Sequence, residues 1–375
     1  MNTKVQRVSL PENRRILVAA DIHAHGHLLK KLLKEANYKA GEDILIIAGD
    51  MLEKGPDSLG TLRYVMELSQ EKYVYPLMGN VDIWRIAGLL NNDPQRQKEI
   101  LRHSFMFRNW FKSTFIDEMC REAGIVLTED TDPQSLFPLL RERFSEEFSF
   151  ILNLPVILES QHMIFVHGGI PHENLDDFVD TDCFSYLKRD DFMREGHVFL
   201  KYVIAGHTPT MGYCTDLLSC NPIADHTQKI ISIDGGCGVK KDGQLNLLIL
   251  EKGDPTSFAF LAADDLPEMI PMEDQEESPC HHAVFWQDRW VECLEMGEEF
   301  SRISHHGVEM CIPTYFLYKE EDGRMACRDV TDYRMPVRAG EKLSLCKSFP
   351  HACLVKKNGV LGWYYGKYEI KEPKL

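Results

Sequence analysis

The chain has 375 residues, a hydrophobic fraction of 44% and a formal charge of −16 at pH 7. This length predicts two domains, and the lack of an apolar run of 18 residues excludes a transmembrane helix. The negative charge argues against broad contact with nucleic acid or an anionic membrane, but it does not exclude one phosphate entering a cationic pocket.

The first residues, 1–15, lack the apolar stretch of a signal peptide, which predicts a cytoplasmic protein. The 11 cysteines include no C-x-x-C pair. In a chain without an export signal we expect them to be reduced thiols, most of them buried.

Short apolar runs predict strands, and segments with leucine and valine at helical spacing lie between the first of them. This alternation predicts βαβ units and a largely parallel start to a sheet. The predicted strands are 16–20, 44–48, 73–78, 163–166 and 202–205, and the helical faces are those of Leu28, Leu29, Leu32 and Leu33 and of Leu59, Leu62, Val65 and Met66.

Each predicted strand is followed by a segment that contains metal-ligand side chains. Ligands at the carboxyl ends of parallel strands lie where α/β sheets place their active sites. Alone, each aspartate is typical of a cap or turn and each histidine of a satisfied core residue, but together they suit two adjacent divalent ions. The segments are Asp21-Ile-His23, Gly49-Asp50-Met-Leu-Glu-Lys-Gly55, Gly79-Asn80-Val-Asp82, His167-Gly-Gly169 and Gly206-His207-Thr208.

The rest of the chain predicts three further parts. Residues 83–150, rich in charged and aromatic side chains, predict a helical insert, which is either structural or a cap that shapes the substrate site. Residues 271–284 are acidic and predict a solvated linker between a first domain, 1–270, and a β-rich domain, 285–375. Within that domain, Asn358-Gly359 between apolar runs predicts a two-residue hairpin.

These motifs resemble those of the calcineurin-like metallophosphoesterases. The family pattern GD-x-HG, GD-x-VDRG, GNHE or GNHD, HGG and GHT is matched block by block, in order, and the likeness covers about 14–262. It is closest to the phosphoprotein phosphatase and diadenosine tetraphosphatase branch. The resemblance implies a four-layer α/β/β/α sandwich. Separately, about 331–371 resembles Src-homology-3-like domains, which implies a small C-terminal barrel.

The resemblance also implies roles for individual residues. Asp50 would bridge two divalent ions, most readily Mn, with Fe, Zn or Mg as alternatives, and a hydroxide shared by the ions would attack phosphorus. Lys54 and Arg189 would hold the phosphate, and His25 would lie near the pocket rim. The other implied ligands are Asp21 and His23 for one ion and Asn80, His167 and His207 for the other.

Four residues depart from the strictest family pattern, namely Val81, Glu53, Ala24 and Lys54, the last of which replaces the family's arginine. The departure at position 81 has the largest expected effect. Val81 stands where the family has the histidine that protonates the leaving oxygen, and valine cannot donate a proton. General acid catalysis contributes roughly 10²–10⁴ in rate. We therefore expect a phosphoesterase that favours good leaving groups, such as aryl phosphates or nucleoside polyphosphates, with Asp82 as a candidate replacement acid.

Two alternatives remain open. The fold could be a metal-bound scaffold with little turnover that acts through its C-terminal domain, which would mediate protein contact or self-association. It could also be a phosphodiesterase, although the block Gly206-His207-Thr208 lacks the second histidine of the G-H-x-H found in those branches. The expected partner in every enzymatic case is a phosphorylated substrate, a small molecule, nucleotide or phosphoprotein.

Overall fold

The computed structural model describes residues 1–111 and 113–371. Lys112 of the predicted insert and residues 372–375 of the predicted C-terminal domain lie outside this range. The chain forms two compact units, the first comprising Met1–Pro209 and Pro222–Asp264 and the second comprising Thr210–Asn221 and the residues from Asp265 onwards. The boundary therefore lies a few residues before the expected 270–271, and a short upstream segment joins the second unit.

The first unit is mixed α/β. Its strands are β1 (Val5–Arg7), β2 (Ile16–Ala19), β3 (Ile44–Ala48), β4 (Val74–Leu77), β5 (Ile157–Glu159), β6 (Met163–Val166), β7 (Tyr202–Ala205), β8 (Ile223–Asp225), β9 (Ile230–Ser232), β10 (Leu245–Leu250) and β11 (Ala259–Ala263). Its helices are α1 (Gly26–Glu35), α2 (Ser58–Leu68), α3 (Asn80–Leu90), α4 (Pro94–Phe107), α5 (Phe115–Glu122), α6 (Pro133–Arg143), α7 (Ser145–Asn153) and the short α8 (Phe184–Leu187).

These strands form two sheets. One has the order β11-β10-β2-β3-β4, in which β2, β3 and β4 are parallel, as the βαβ pattern predicted. The other has the order β1-β5-β6-β7-β9-β8, with β6, β7 and β9 parallel. Parallel strands buried on both faces require continuous apolar runs, and β2, β3, β6 and β7 are buried along their whole length.

One apolar core is shared by the two sheets. Val18 and Ile46 of the first sheet and Phe165 and Ile204 of the second belong to the same buried cluster. This packing places the carboxyl ends of β2 and β3 near those of β6 and β7. The mixed α/β fold is confirmed, whereas the four-layer stacking stays a prediction.

Helices α3 to α7 occupy the segment that was expected to be a helical insert. Two of its helices begin with proline and are capped by the aspartate before it: Asp93 and Asp132 accept hydrogen bonds from the first turns of α4 and α6. Thr114 and Asp117 form a capping box at the start of α5: Thr114 Oγ1 accepts the Asp117 N–H, and Asp117 Oδ2 accepts the Thr114 N–H. The insert has its own apolar cluster, to which Leu59 and Leu62 of α2 contribute, so it is anchored on the first βαβ unit.

The second unit is all β apart from short 3₁₀ turns. Its strands are β12 (Glu268–Pro271), β13 (Ala283–Val284), β14 (Glu292–Glu295), β15 (Phe300–His305), β16 (Val308–Pro313), β17 (Leu317–Lys319), β18 (Met325–Cys327), β19 (Val330–Thr331), β20 (Leu343–Ser348), β21 (Cys353–Lys357), β22 (Val360–Tyr364) and β23 (Tyr368–Lys371). They form a five-stranded sheet, β22-β21-β20-β12-β23, a three-stranded sheet, β14-β15-β16, and two strand pairs.

The acidic segment 271–284 is part of this unit, which differs from the expected free linker. The Gln275 backbone pairs with Val337, and its side chain donates to the carbonyls of Met335 and Trp363 at 2.6 and 2.8 Å. Strand β13 pairs with β19. The charged residues around Gln275 are therefore the exposed side of an ordered stretch whose backbone is hydrogen-bonded.

The predicted hairpin is confirmed. Asn358 and Gly359 have φ of 51° and 77° and connect β21 to β22, as a type I′ turn requires. The sheet that contains this hairpin also includes β12, which precedes the expected limits of 331–371. The Src-homology-3-like barrel thus stays a prediction. No helix in the described part of the chain is long and apolar enough to cross a membrane.

Candidate active site

The ends of five strands, β2, β3, β4, β6 and β7, bring the predicted ligands together. The His207 N–H donates to Asp21 Oδ2 at 3.0 Å, which joins the end of β7 to the end of β2. His167, after β6, has its Nδ1 2.9 Å from the carbonyl oxygen of Ala48, the last residue of β3. Ligand residues that are distant in sequence, from both sheets, therefore occupy one buried site.

Gly49 and Gly79 allow the ends of β3 and β4 to approach each other. Gly49 has a φ of +86°, and a Cβ atom there would lie 2.7 Å from Gly79 Cα. A Cβ on Gly79 would lie 2.2 Å from Asp50 Oδ1. A side chain at Gly49 would clash with the Gly79 backbone, and one at Gly79 would displace the Asp50 carboxylate, which explains the glycines in both motifs.

Several of the predicted ligands have left-handed backbone conformations. The φ angles of Asp21, His23, Asp50 and His207 are 54°, 45°, 51° and 68°. Such a conformation costs a non-glycine residue roughly 1–2 kcal/mol, so it persists only where the surrounding structure imposes it. Four predicted ligands have this conformation, which indicates that the fold holds their side chains in place at a cost in local stability.

Asp50 lies at the centre of the site. Its Oδ1 accepts the Val81 N–H at 2.8 Å and lies 3.4 Å from His167 Nε2, and its Oδ2 lies 3.6 Å from His23 Nε2. His167 Nε2 is also 2.9 Å from Asn80 Oδ1. Asp50 thus lies between a group that includes His23 and another that includes His167 and Asn80, as a bridging carboxylate would.

Each histidine has one ring nitrogen held by a neighbour. Nδ1 of His23 lies 3.3 Å from the Leu52 carbonyl, and Nδ1 of His167 contacts Ala48, so both present Nε2 to Asp50. His207 has its Nε2 2.9 Å from Asp190 Oδ1. Metal-binding histidines in proteins are oriented by such carbonyl and carboxylate contacts.

The ionisation of the site matches a cationic occupant. Burial, and then the charge of Asp234, raises the pKa of Asp21 well above its usual value. Burial also favours protonation of Asp50, but the charge and hydrogen bond of His167 lower its pKa overall. For His167, burial is outweighed by Asp50 and Asp21, which raise the pKa to about 10. Divalent ions would stabilise the carboxylates and displace this proton.

The other two histidines are held neutral. Burial, and then the charge of Lys54, lowers the pKa of His23 to about 3. Burial, and then the charge of His167, lowers that of His207 to about 4. A neutral imidazole is the form that binds metal ions.

Asp234 is a residue that the sequence interpretation missed. It follows β9, it is 1% exposed, and its Oδ1 accepts the Gly236 N–H at 2.7 Å. Its Oδ2 has no hydrogen-bond partner among the described residues, and burial raises its pKa to about 6. Its position two residues after the end of a strand, in Ile231-Ser-Ile-Asp-Gly-Gly236, was the available signal. The unsatisfied buried oxygen and the carboxylate, amide and imidazole donors together fit divalent metal ions.

Asp190 was also missed, although it adjoins the predicted Arg189. The Arg189 guanidinium is paired within its own loop: its Nε donates to Glu195 Oε2 at 2.7 Å, and its Nη2 lies 3.3 Å from His197 Nε2. A phosphate contact would require these pairs to break, so the predicted role of Arg189 stays a prediction.

Lys54 lies inside the site and His25 at its margin. Lys54 Nζ is 3.3 Å from His23 Nε2. Lys54 has a left-handed φ of 65°, like Asp50 in the same loop after β3. His25 precedes α1, and its Nδ1 lies 2.6 Å from the His23 carbonyl oxygen. Lys54 is thus placed to meet an anion at the centre, while a contact of His25 with substrate stays a prediction.

Asp82 has a structural position that does not fit the predicted role as replacement acid. Its Oδ1 accepts the N–H groups of Met51 and Leu52 at 2.9 and 3.0 Å, and its Oδ2 accepts that of Gly79 at 3.0 Å. Burial, and then the charge of Asp50, raises its pKa to about 7. With 0% exposure, it cannot reach a leaving group. It fixes the loop after β3 against the start of α3.

A second group of possible ligands lies in the second unit. His306 Nε2 is 2.5 Å from Asp288 Oδ2, and His305 Nε2 is 2.8 Å from the Asp288 carbonyl oxygen. His282 Nε2 lies 2.9 Å from His305 Nδ1. A chain of ordinary hydrogen bonds accounts for all of these contacts, so they do not require an ion.

Comparison with known proteins gives consistent results. Residues 14–216 match the family model described as calcineurin-like phosphoesterase. The symmetrical bis(5'-nucleosyl)-tetraphosphatase of Edwardsiella ictaluri is 35% identical over 82 residues, which are 21% of this chain and 29% of that protein. Serine/threonine-protein phosphatase 1 of Salmonella typhimurium is 35% identical over 75 residues, 20% of this chain and 33% of that protein. The matched segment thus spans about a third of the length of these relatives.

Solved structures of phosphatases also align. A cold-active protein-tyrosine phosphatase from Shewanella is 14% identical, with a TM-score of 0.41, and the alignment covers 69% of this chain and 82% of that one. A protein serine/threonine phosphatase from Saccharomyces cerevisiae is 13% identical, with a TM-score of 0.42, and covers 70% and 85%.

Proposed function

Because this chain belongs to the calcineurin-like phosphoesterase family, we propose that it hydrolyses a phosphate ester or phosphoanhydride at a dinuclear metal centre. The observation that carries the proposal is the convergence of the predicted ligands around Asp50. Asp21, Asp50 and His167 offer ligand atoms that all lie within 4.8 Å of one another. The names of the relatives, tetraphosphatases and a serine/threonine-protein phosphatase, support phosphoanhydrides and phosphomonoesters as substrate classes.

The proposed ligands are Asp21, His23 and Asp50 for one ion and Asp50, Asn80, His167 and His207 for the other. Carboxylate, amide and imidazole together favour Mn, Fe or Zn over Mg, and we propose Mn. Bound ions of this kind supply Lewis acidity and lower the pKa of water.

Lys54 is the proposed phosphate-binding cation of this chain. Its ammonium lies beside His23 in a buried site whose other charged groups are mainly carboxylates. It would neutralise a phosphate oxygen and orient the phosphoryl group. A lysine does this as a point charge, without the two-pronged geometry of the family's arginine.

Among the described residues, neither Val81 nor its neighbour Asp82 provides a proton for the leaving oxygen. The Val81 side chain is apolar, and Asp82 is fully engaged by backbone amides. The leaving group must then depart as an anion or take its proton from solvent. This arrangement favours phenolates and phosphates, which are weakly basic, over the alkoxide of serine.

The test is phosphate release by the full chain with Mn²⁺ or with chelator. The panel holds an aryl phosphate, phosphotyrosine and phosphoserine peptides, a dinucleoside polyphosphate and an aryl phosphodiester. We expect Mn-dependent release that Asp50→Asn abolishes and that the exposed Asp130→Asn leaves unchanged, with phosphoserine hydrolysed most slowly.

Metal content by elemental analysis completes the test. Two ions per chain, reduced by Asp50→Asn, are expected. Two bound ions with no turnover on any substrate would overturn the proposal in favour of a scaffold that acts through the second unit. Preference for the diester would identify a phosphodiesterase instead.

A further inference from the structure

A cavity of about 320 Å³ adjoins the candidate metal centre. Its polar end includes Lys54 and Asn80, which belong to the site already described. The remainder of its wall is mainly aromatic and comes from Trp84, Phe107, Phe111 and Phe184, together with Val81. A pocket with one cationic end and one aromatic end suits a ligand of the same two-part character.

Helix α3 connects the two ends of this cavity. Asn80 and Val81 stand in its first turn, and Trp84 and Arg85 follow them at the three- and four-residue spacing that puts side chains on one helical face. The Trp84 ring meets the edge of Phe107, at the end of α4, with centroids 6.2 Å apart and planes at 78°. The insert thus supplies most of the aromatic wall, and it does so directly beside a proposed metal ligand.

Arg85 adds an unsatisfied donor to the wall. It is 1% exposed; its Nε donates to Glu53 Oε1 at 2.5 Å and its Nη1 to Ser104 Oγ at 3.1 Å. Its Nη2 is buried and has no hydrogen-bond partner among the described residues. A buried donor of this kind is rare in proteins and points to an acceptor that a ligand or water supplies. Lys188 lines the same cavity and adds a second ammonium group.

We propose, on the basis of the phosphohydrolase function above, that this cavity holds the aromatic ring of the leaving group and that the substrate class is an aryl phosphomonoester. The position of Val81 decides between this class and a nucleotide. The Val81 N–H donates to Asp50 Oδ1 at 2.8 Å, so the apolar wall begins at a residue that is hydrogen-bonded to the proposed bridging carboxylate. A ring bonded directly to the scissile oxygen meets that wall, whereas a nucleobase is separated from its phosphorus by a ribose.

The reaction is ordinary ester hydrolysis. A water oxygen forms the new bond to phosphorus and loses one proton to solvent, and the bond from phosphorus to the aryl oxygen breaks. The phenolate leaves with the bonding electron pair and takes its proton from solvent, which requires no acid at position 81. Val81 therefore contributes to substrate binding, because its methyl groups contact the ring in the space that a histidine side chain would fill.

The test compares Trp84→Ala with the control Trp286→Ala, which removes a 46% exposed tryptophan of the second unit that is not among the cavity-lining residues. The substrates are 4-nitrophenyl phosphate and acetyl phosphate, both with good leaving groups but only one with a ring. We expect Trp84→Ala to lower kcat/KM roughly three- to tenfold for the aryl ester and less than about twofold for acetyl phosphate. Trp84→Phe should retain most of the aryl activity, and the control should change neither.

An equal loss on both substrates would overturn the proposal, because Trp84 would then only support the fold. A dinucleoside polyphosphate is the third substrate of this test. A loss of activity confined to it would overturn the proposal in favour of a nucleobase site.

A binding measurement keeps this inference separate from the proposed hydrolysis. Calorimetric titration of Mn-loaded protein with benzylphosphonate and with methylphosphonate needs no turnover. Tighter binding of the benzyl compound that Trp84→Ala removes is expected even if no substrate is hydrolysed. Equal affinities for the two phosphonates in the wild-type protein would overturn the ring site whatever the activity.

Discussion

The ion pair of Glu53 and Arg85 should contribute strongly to the stability of the first unit. Their side chains are 7% and 1% exposed, and Arg85 Nε lies 2.5 Å from Glu53 Oε1, which also accepts the Phe115 N–H at 3.2 Å. Glu53→Gln keeps the size and the acceptor oxygen but removes the charge, so it leaves the Arg85 guanidinium buried without its counterion.

The expected cost follows from the geometry. With charge centres about 4 Å apart and an effective dielectric constant near 20, the lost attraction is about 4 kcal/mol. Breaking a buried pair by removal of one partner costs a similar 3–5 kcal/mol or so. For a unit of this size, each kcal/mol lowers Tm by roughly 2–4 °C, so the calorimetric transition of the first unit should fall by about 8–16 °C.

The control is Glu99→Gln on α4, whose partner Arg96 is 70% exposed. An exposed pair contributes less than about 1 kcal/mol, so the transition should move by only a few degrees. In a double-mutant cycle with Arg85→Met, the double variant should be more stable than the sum of the single effects predicts. Additive effects, or a Glu53→Gln shift as small as that of the control, would refute the reasoning.

Three further predictions follow from the site and its support. Burial raises the pKa of Glu118 to about 7 from 4.5, so the unfolded chain loses this proton at lower pH than the folded one, and stability should fall by about 3 kcal/mol between about pH 4.5 and pH 7. In urea melts, Glu118→Gln should reduce the dependence of the unfolding free energy on pH. An unchanged dependence would contradict the attribution to Glu118. Val81→His should speed phosphoserine hydrolysis by roughly tenfold or more with little gain on 4-nitrophenyl phosphate, and equal gains would argue that position 81 does not face the leaving oxygen. Lys54→Met should raise KM for phosphate esters at least about tenfold, while Arg189→Met, already paired with Glu195, should leave it nearly unchanged; the opposite ranking in steady-state kinetics would contradict the geometry.

The strand-end ligands could be predicted because their positions depend on local pattern. A buried parallel strand has a continuous apolar run, and the residue after it lies at the carboxyl edge of the sheet, so Asp21, Asp50, His167 and His207 could be placed near one another. Asp234 follows a strand in the same way. It was missed because β9 was not among the predicted strands.

Other features depend on contacts between distant residues and could not be predicted. The direction of Arg189 is set by Glu195, and the backbone bonds of Asp82 come from the loop after β3. Composition also misled: the acidic stretch around Gln275 resembles a linker, yet its backbone pairs with Val337 more than sixty residues later. The aromatic cavity requires α3 and α4 to pack side by side, which periodicity alone does not specify.

Helix α3 both positions a proposed metal ligand and lines the substrate cavity, and this affects how substrate selectivity could change. One turn positions Asn80, while the next turn and α4 form part of the aromatic wall. A library restricted to Trp84, Phe107 and neighbouring insert positions would therefore vary what is recognised while the ligand shell keeps its backbone bonds to Asp82. New substrate preferences could then be selected in the laboratory without rebuilding the chemistry, because the two tasks are separated by a single helical turn.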